Sequence, residues 1–206
     1  MKKLTIVYIA MALLSGGTFV HAQEMPKMPP PVKMRLISAG SQVFLSRPTY
    51  GIKRVHIWLQ QFVGEWESES EVFMELGKPP MKFKGTESSR MIGPFWVVVE
   101  GKGDMMGMPF TSLLTLGYDP EKNKYIGSWI DSMDIYLWRY EGTVDPTGKI
   151  LTLETEGPCP MAPGGLSKFK EVTEFKTKDH RVFTSSRQGE DGKWTTVVTV
   201  NSRRKK

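Results

Sequence analysis

From Trp66 onward the chain alternates apolar and polar side chains with a period of two, broken at short intervals by turn-forming residues. That pattern predicts ten strands, at about 66–75, 81–91, 94–101, 108–117, 124–132, 135–143, 149–155, 169–177, 180–187 and 193–201. The breaks have turn chemistry: Gly77-Lys78-Pro79-Pro80, Gly93-Pro94, Tyr118-Asp119-Pro120-Glu121-Lys122-Asn123, Asp145-Pro146-Thr147-Gly148 and Glu190-Asp191-Gly192. A longer break, Gly157 to Ser167, has the length of a functional loop. Before the strands, Ile52, Val55, Leu59, Phe62 and Val63 recur at helical spacing. They predict an amphipathic helix of about three turns, opened by Gly51 and ended by Gly64. Trp96-Val97-Val98-Val99 and Tyr136-Leu137-Trp138 are apolar on both faces, so these strands need cover on both sides.

A meander of ten hairpin-linked strands leaves two exposed edges unless it closes, and closure removes both. The expectation is therefore an all-β fold: a closed antiparallel up-and-down barrel of about ten strands, spanning 51–204, with the helix capping one end. A barrel of that size is wide enough to hold a ligand.

Ahead of the barrel the pattern changes. Lys2 and Lys3, an apolar run from Leu4 to Leu14, and small residues ending in Val20-His21-Ala22 form the three parts of a secretory signal. The run is too short to span a bilayer. Cleavage is expected near Ala22, with the mature protein secreted or periplasmic. Residues 23–50 follow as a largely irregular leader rich in Pro and Met. Its Met-Pro spacing suits a soft metal less well than it suits a flexible apolar segment.

The whole chain carries 28 Lys and Arg against 22 Asp and Glu, a net +6. Residues 203–206 are all basic, and residues 205–206 are expected to be a solvated tail. A basic face with aromatic interleaving is missing, so nucleic acid is not an expected partner. One cysteine, Cys159, precludes an internal disulfide.

Candidate chemistry is sparse. Beyond the signal segment the histidines are His56, one step off the helical stripe, and His180, in the Lys178-Asp179-His180 turn. Neither accompanies a nucleophile motif, a zinc-binding His-Glu-x-x-His or a phosphate-cradling loop. Gly101-x-Gly103 precedes no helix and is not a dinucleotide fingerprint. Glu67, Glu69 and Glu71 share one strand face, most simply the solvent face. Hence no catalytic residues, no cofactor and no metal site are expected. What the strands do supply is aromatic surface, Trp96, Phe110, Tyr125, Trp129, Trp138 and Tyr140, with Arg90 and Arg139 able to meet an anionic head group. Met105, Met106 and Met108 form an adaptable turn near a barrel mouth.

The run His56-Ile57-Trp58-Leu59-Gln60-Gln61-Phe62-Val63-Gly64-Glu65-Trp66-Glu67 resembles the opening motif of the secreted bacterial domain-of-unknown-function family 1579. Met106-Gly107-Met108-Pro109-Phe110, Gly117-Tyr118-Asp119, Lys124-Tyr125 and Trp129-Ile130-Asp131-Ser132-Met133 extend the resemblance over about 52–204. Gly64-x-Trp66 also resembles the first strand of calycin barrels such as lipocalins. That resemblance implies a structural barrel end built by His56, Gly64 and Trp66, with Arg203 or Arg204 beside the indole. The family implies a calycin-like fold and no activity. The leading expectation is non-catalytic binding of a small apolar or amphipathic molecule inside the barrel. A structural protein acting as a homodimer is one alternative. Haem or metal binding through His180 or His56 is another, on resemblance to nitrobindin-like barrels.

Overall fold

A computed structural model describes residues 53–75, 77–159 and 165–206. The signal segment, the leader and the centre of the loop after Gly157 lie outside the described residues.

Ten antiparallel strands close into one ring. They are β1 (Gly64–Val72), β2 (Met81–Ile92), β3 (Trp96–Met105), β4 (Met108–Asp119), β5 (Lys124–Asp131), β6 (Trp138–Val144), β7 (Ile150–Pro158), β8 (Leu166–Thr177), β9 (His180–Gln188) and β10 (Trp194–Arg204). Each pairs with its sequence neighbours, and β1 pairs with β10 to shut the barrel, from Trp66↔Arg204 to Val72↔Val198. The up-and-down barrel expected from the alternation is the observed fold. Strand ends move by a few residues: β3 runs four residues further, and β7 and β8 each extend three residues into the predicted loop.

The pleat sorts the side chains. In β1, Trp66, Ser68 and Ser70 are buried while Glu65, Glu67 and Glu69 face water. Glu69 and Glu71 pair with Lys84 and Lys82 of β2 at 3.2 and 2.7 Å. These glutamates form a solvent face. Exposed pairs of this kind, screened by water and salt, contribute little to stability.

The element before the barrel is shorter than the periodicity predicts: one α-helical turn, α1 (Arg54–Trp58), tightens into a 3-10 turn at Leu59–Phe62. The reason is packing. Leu59 and Phe62 enter the end of the ring and are fully or almost fully buried, together with Val97, Leu116, Tyr125, Leu151 and Phe175, and the half-buried Trp58 packs against them. Burying a Leu or Phe side chain stabilises by about 1.5–3 kcal/mol, more than the lost helical turn costs. The indole of Trp58 donates to the Gly148 carbonyl (2.7 Å), and the Tyr125 hydroxyl donates to the Val55 carbonyl (3.0 Å). The plug is thereby pinned to the β6–β7 turn and to β5. His56 is also buried, its Nδ1 accepting the Lys53 N–H at 3.0 Å and its ring edge-on to Phe95 and Tyr118. Burial, and then the charge of Lys53, hold its pKa below 6.5.

Candidate functional site

The plugged end has a charged floor. Trp66 is fully buried and donates from Nε1 to the Phe62 carbonyl at 2.8 Å. Two guanidiniums lie on its ring, Arg204 at 4.2 Å and Arg181 at 4.5 Å. Arg204 ties the entering chain to the β8–β9 turn: it bonds the carbonyls of Val63, Gln61 and Lys178 and the Asp179 carboxylate. Gly64, at φ +124°, leaves room for that guanidinium, which a Cβ would strike. The basic partner of the indole is thus Arg204, whereas Arg203 is exposed and opposite Glu67. Strand parity decides between them, since Trp66 pairs with Arg204 and shares its face. Arg181 is paired with Glu87, which also accepts the Ser202 hydroxyl at 3.1 Å. Arg181 and Glu87 both line the cavity above this floor.

That cavity has a volume of about 500 Å³ and runs to the opposite, unplugged end. It exists because the inward positions of one wall are small: Ser68 and Ser70 of β1, Gly85 of β2, Gly101 and Gly103 of β3, Ser112 of β4. The facing strands carry Trp129, Trp138, Tyr140 and Phe169 into the same space. Large side chains on one wall and small ones on the other leave a one-sided void, not a filled core. Trp138 reaches its position over Gly157 of β7, where any Cβ would overlap the indole. Around the mouth, Met74, Met106, Met108, Ile130, Met133, Ile135, Leu137 and Leu166 are exposed.

Of the residues singled out in the sequence, Phe110, Trp129, Trp138 and Tyr140 line the cavity. Tyr125 points to the same side but is buried in the plug, held by Val55. Trp96, Arg90 and Arg139 lie outside. Trp96 covers Gly117 on the outer wall, Arg90 is exposed 3.8 Å from Glu100, and Arg139 is exposed between inward Trp138 and Tyr140. Met105 lines the mouth, while Met106 and Met108 are exposed in the turn. Among the described residues no histidine lines the cavity; His180 bonds Asn201 at 2.9 Å. No group of three or more His, Cys, Asp or Glu among the described residues could hold a metal. No described helix is long and apolar enough to cross a membrane.

The sequence reading missed the polar groups of the wall. Glu171 of β8 is 6% exposed; its Oε1 accepts the Ser185 hydroxyl at 3.0 Å, and its Oε2 has no partner. Burial raises its pKa to about 7, against which the Ser185 bond works only in part. Burial, with the charge of Glu171 behind it, also raises the Tyr140 hydroxyl far above its ordinary value. Arg181, its partner Glu87 and Ser185 are further inward polar groups. The signal was present: Phe169 and Phe175 fix which face of β8 is buried, and Glu171 and Thr173 share their parity.

The model of a family described as Protein of unknown function (DUF1579) matches residues 52–204. No curated protein matches the chain. Among solved structures, Rv2717c from M. tuberculosis is similar at 12% identity and TM-score 0.53, covering 76% of this chain and 100% of that one. An S-type phycobiliprotein lyase, CPES, from Guillardia theta matches at 14% identity and TM-score 0.48, over 74% of this chain and 93% of its own. A de novo designed fluorescence-activating β-barrel matches at 14% identity and TM-score 0.38, over 71% and 95%. The likeness to Rv2717c shows the barrel fold.

Proposed function

We propose that this chain, which belongs to the DUF1579 family of proteins of unknown function, is a non-catalytic binding protein that holds a small, largely apolar molecule inside its barrel. One observation carries the reading: a closed ring around a void of about 500 Å³, walled by aromatic and aliphatic side chains with a few polar groups among them. Small-molecule sites have volumes of about 300–1,000 Å³ and this same mixture of many apolar contacts and few polar ones. The mouth supports it, because the methionines Met74, Met105 and Met133 line the entrance and offer an apolar guest adaptable contacts. The Lys2–Ala22 pattern further supports export, so the guest would be met outside the cytoplasm.

Native mass spectrometry of the protein purified from its own host tests the reading. Extra mass that vanishes on denaturation establishes the guest and gives its formula. Bare protein, together with no fluorescence gain from the neutral apolar probe N-phenyl-1-naphthylamine, would overturn it. Amino-terminal sequencing of the same material tests export, with Gln23 expected first.

A further inference from the structure

We infer that Glu171 is the recognition group for a ligand that combines an apolar body with a primary amine, the ammonium seated on Oε2 and the body running toward the mouth. This rests on the cavity-binding reading above and deepens it.

Glu171 stands in an inward row built by cross-strand pairing: Leu153 of β7 on one side, Ser185 of β9 on the other. On its own strand Phe169 and Thr173 flank it on the same face. All of these line the cavity. Ser185 uses one carboxylate oxygen and leaves the other buried, with nothing bound to it, on a side chain that lines the cavity. Every other cavity-lining acid has an occupation. Glu87 is paired with Arg181 and accepts from Ser202. Asp131 accepts the N–H groups of Met133 and Asp134, and Asp134 accepts that of Tyr136. The positive groups of the lining are Arg181, whose Nη2 is paired with Glu87 and whose Nη1 is buried without a partner, and Lys102, which is exposed. The void therefore carries surplus negative charge, and Glu171 Oε2 is its buried carboxylate oxygen without a partner.

An ionised carboxylate only accepts hydrogen bonds, and taking it out of water without a counter-charge is costly. An ammonium repairs both defects at once, giving a short charge-assisted bond and the missing charge. A ligand carboxylate would add repulsion, and a hydroxyl would supply a donor without the charge. The pKa of Glu171, raised to about 7, fits a group awaiting a cation.

The test is competition on the full-length exported protein at pH 8. N-phenyl-1-naphthylamine is bound first, then displaced by decylamine, decanol or decanoate, all below their aggregation limits. Decylamine should displace the probe at about tenfold lower concentration than decanol, or lower still, with decanoate weakest. Glu171→Gln should erase the gap between amine and alcohol, with each displacement referred to the variant's own probe affinity. Ser185→Ala, which keeps the carboxylate, should preserve the gap. Equal or better displacement by decanol or decanoate overturns the assignment while the cavity reading stands, as does an undiminished gap in a folded Glu171→Gln variant. If the probe never enters, and native mass spectrometry finds no decylamine adduct, the cavity reading fails and this assignment with it.

Discussion

The Glu171→Gln substitution has a stability consequence that can be worked out before any ligand is known. In the unfolded chain this carboxyl ionises near its ordinary 4.5; in the barrel, burial holds it to about 7. Below pH 4.5 both states are protonated and the group favours neither. As pH rises from 4.5 to 7, the unfolded chain gives up its proton while the folded one retains it. Folded stability is therefore lost across that window, at up to about 1.4 kcal/mol per pH unit, and the loss levels off above 7. Over the whole window the loss amounts to about 3 kcal/mol. Glutamine has nearly the same shape and no ionisation, so the variant escapes this loss. Urea unfolding followed by tryptophan fluorescence at pH 5, 6, 7 and 8 measures it. Titrations elsewhere in the protein cancel in the difference between the two proteins. The difference should grow in favour of Glu171→Gln by about 2.5 kcal/mol from pH 5 to pH 8, whatever constant offset the amide introduces. A pH-independent difference would refute the reasoning: the carboxylate would then be as well solvated folded as unfolded, and its free oxygen would mark nothing.

Further outcomes follow from other contacts. Glu87→Gln strands the Arg181 guanidinium and should cost about 3–5 kcal/mol, whereas Glu87→Gln with Arg181→Met should cost clearly less than the two singles added together, in a denaturant double-mutant cycle. Gly157→Ala sets a methyl against the Trp138 ring; it should cost about 1–3 kcal/mol by urea unfolding and shift the tryptophan emission. Ser70→Phe fills part of the void from the small-residue wall, and should weaken N-phenyl-1-naphthylamine binding by about tenfold or more in a fluorescence titration. Cys159 is buried at the mouth among the lining residues, so bound probe should slow its reaction with a thiol reagent.

The ring was legible because two independent signals agree: alternation, strict in the Glu67, Glu69 and Glu71 face though loose in Trp96-Val97-Val98-Val99, and turn residues such as Asp145-Pro146-Thr147-Gly148. Closure followed from the edge argument alone. The helix was overread because periodicity reports which face is buried, and Leu59 and Phe62 need only point into the ring, which a 3-10 turn also achieves. The cavity wall was half legible. Aromatic content alone picked out Phe110, Trp129, Trp138 and Tyr140, and it also picked out Trp96, whose place on the outer wall depends on the shallow seat offered by Gly117 across the strand pair. The void itself was written in the small residues, the serines of β1 and the glycines of β2 and β3, which carry no chemistry of their own. Glu171 and Arg181 escaped because charged residues on strands ordinarily face water; only the parity set by Phe169, Phe175 and Phe183 turns them inward.

Nine of the ten strand junctions join neighbours in sequence, and one joins β1 to β10 across more than a hundred residues. In kinetic terms the barrel is a string of fast local hairpins ended by one slow long-range event, and that event governs the folding time. Until it occurs, the chain is an open, curling sheet with two bare edges, the species most prone to join another chain. The same event brings Arg204 onto Trp66 and Ser202 onto Glu87. A partly folded chain thus has strands but no floor to its cavity, and the interior comes into being in a single step, when the last strand meets the first.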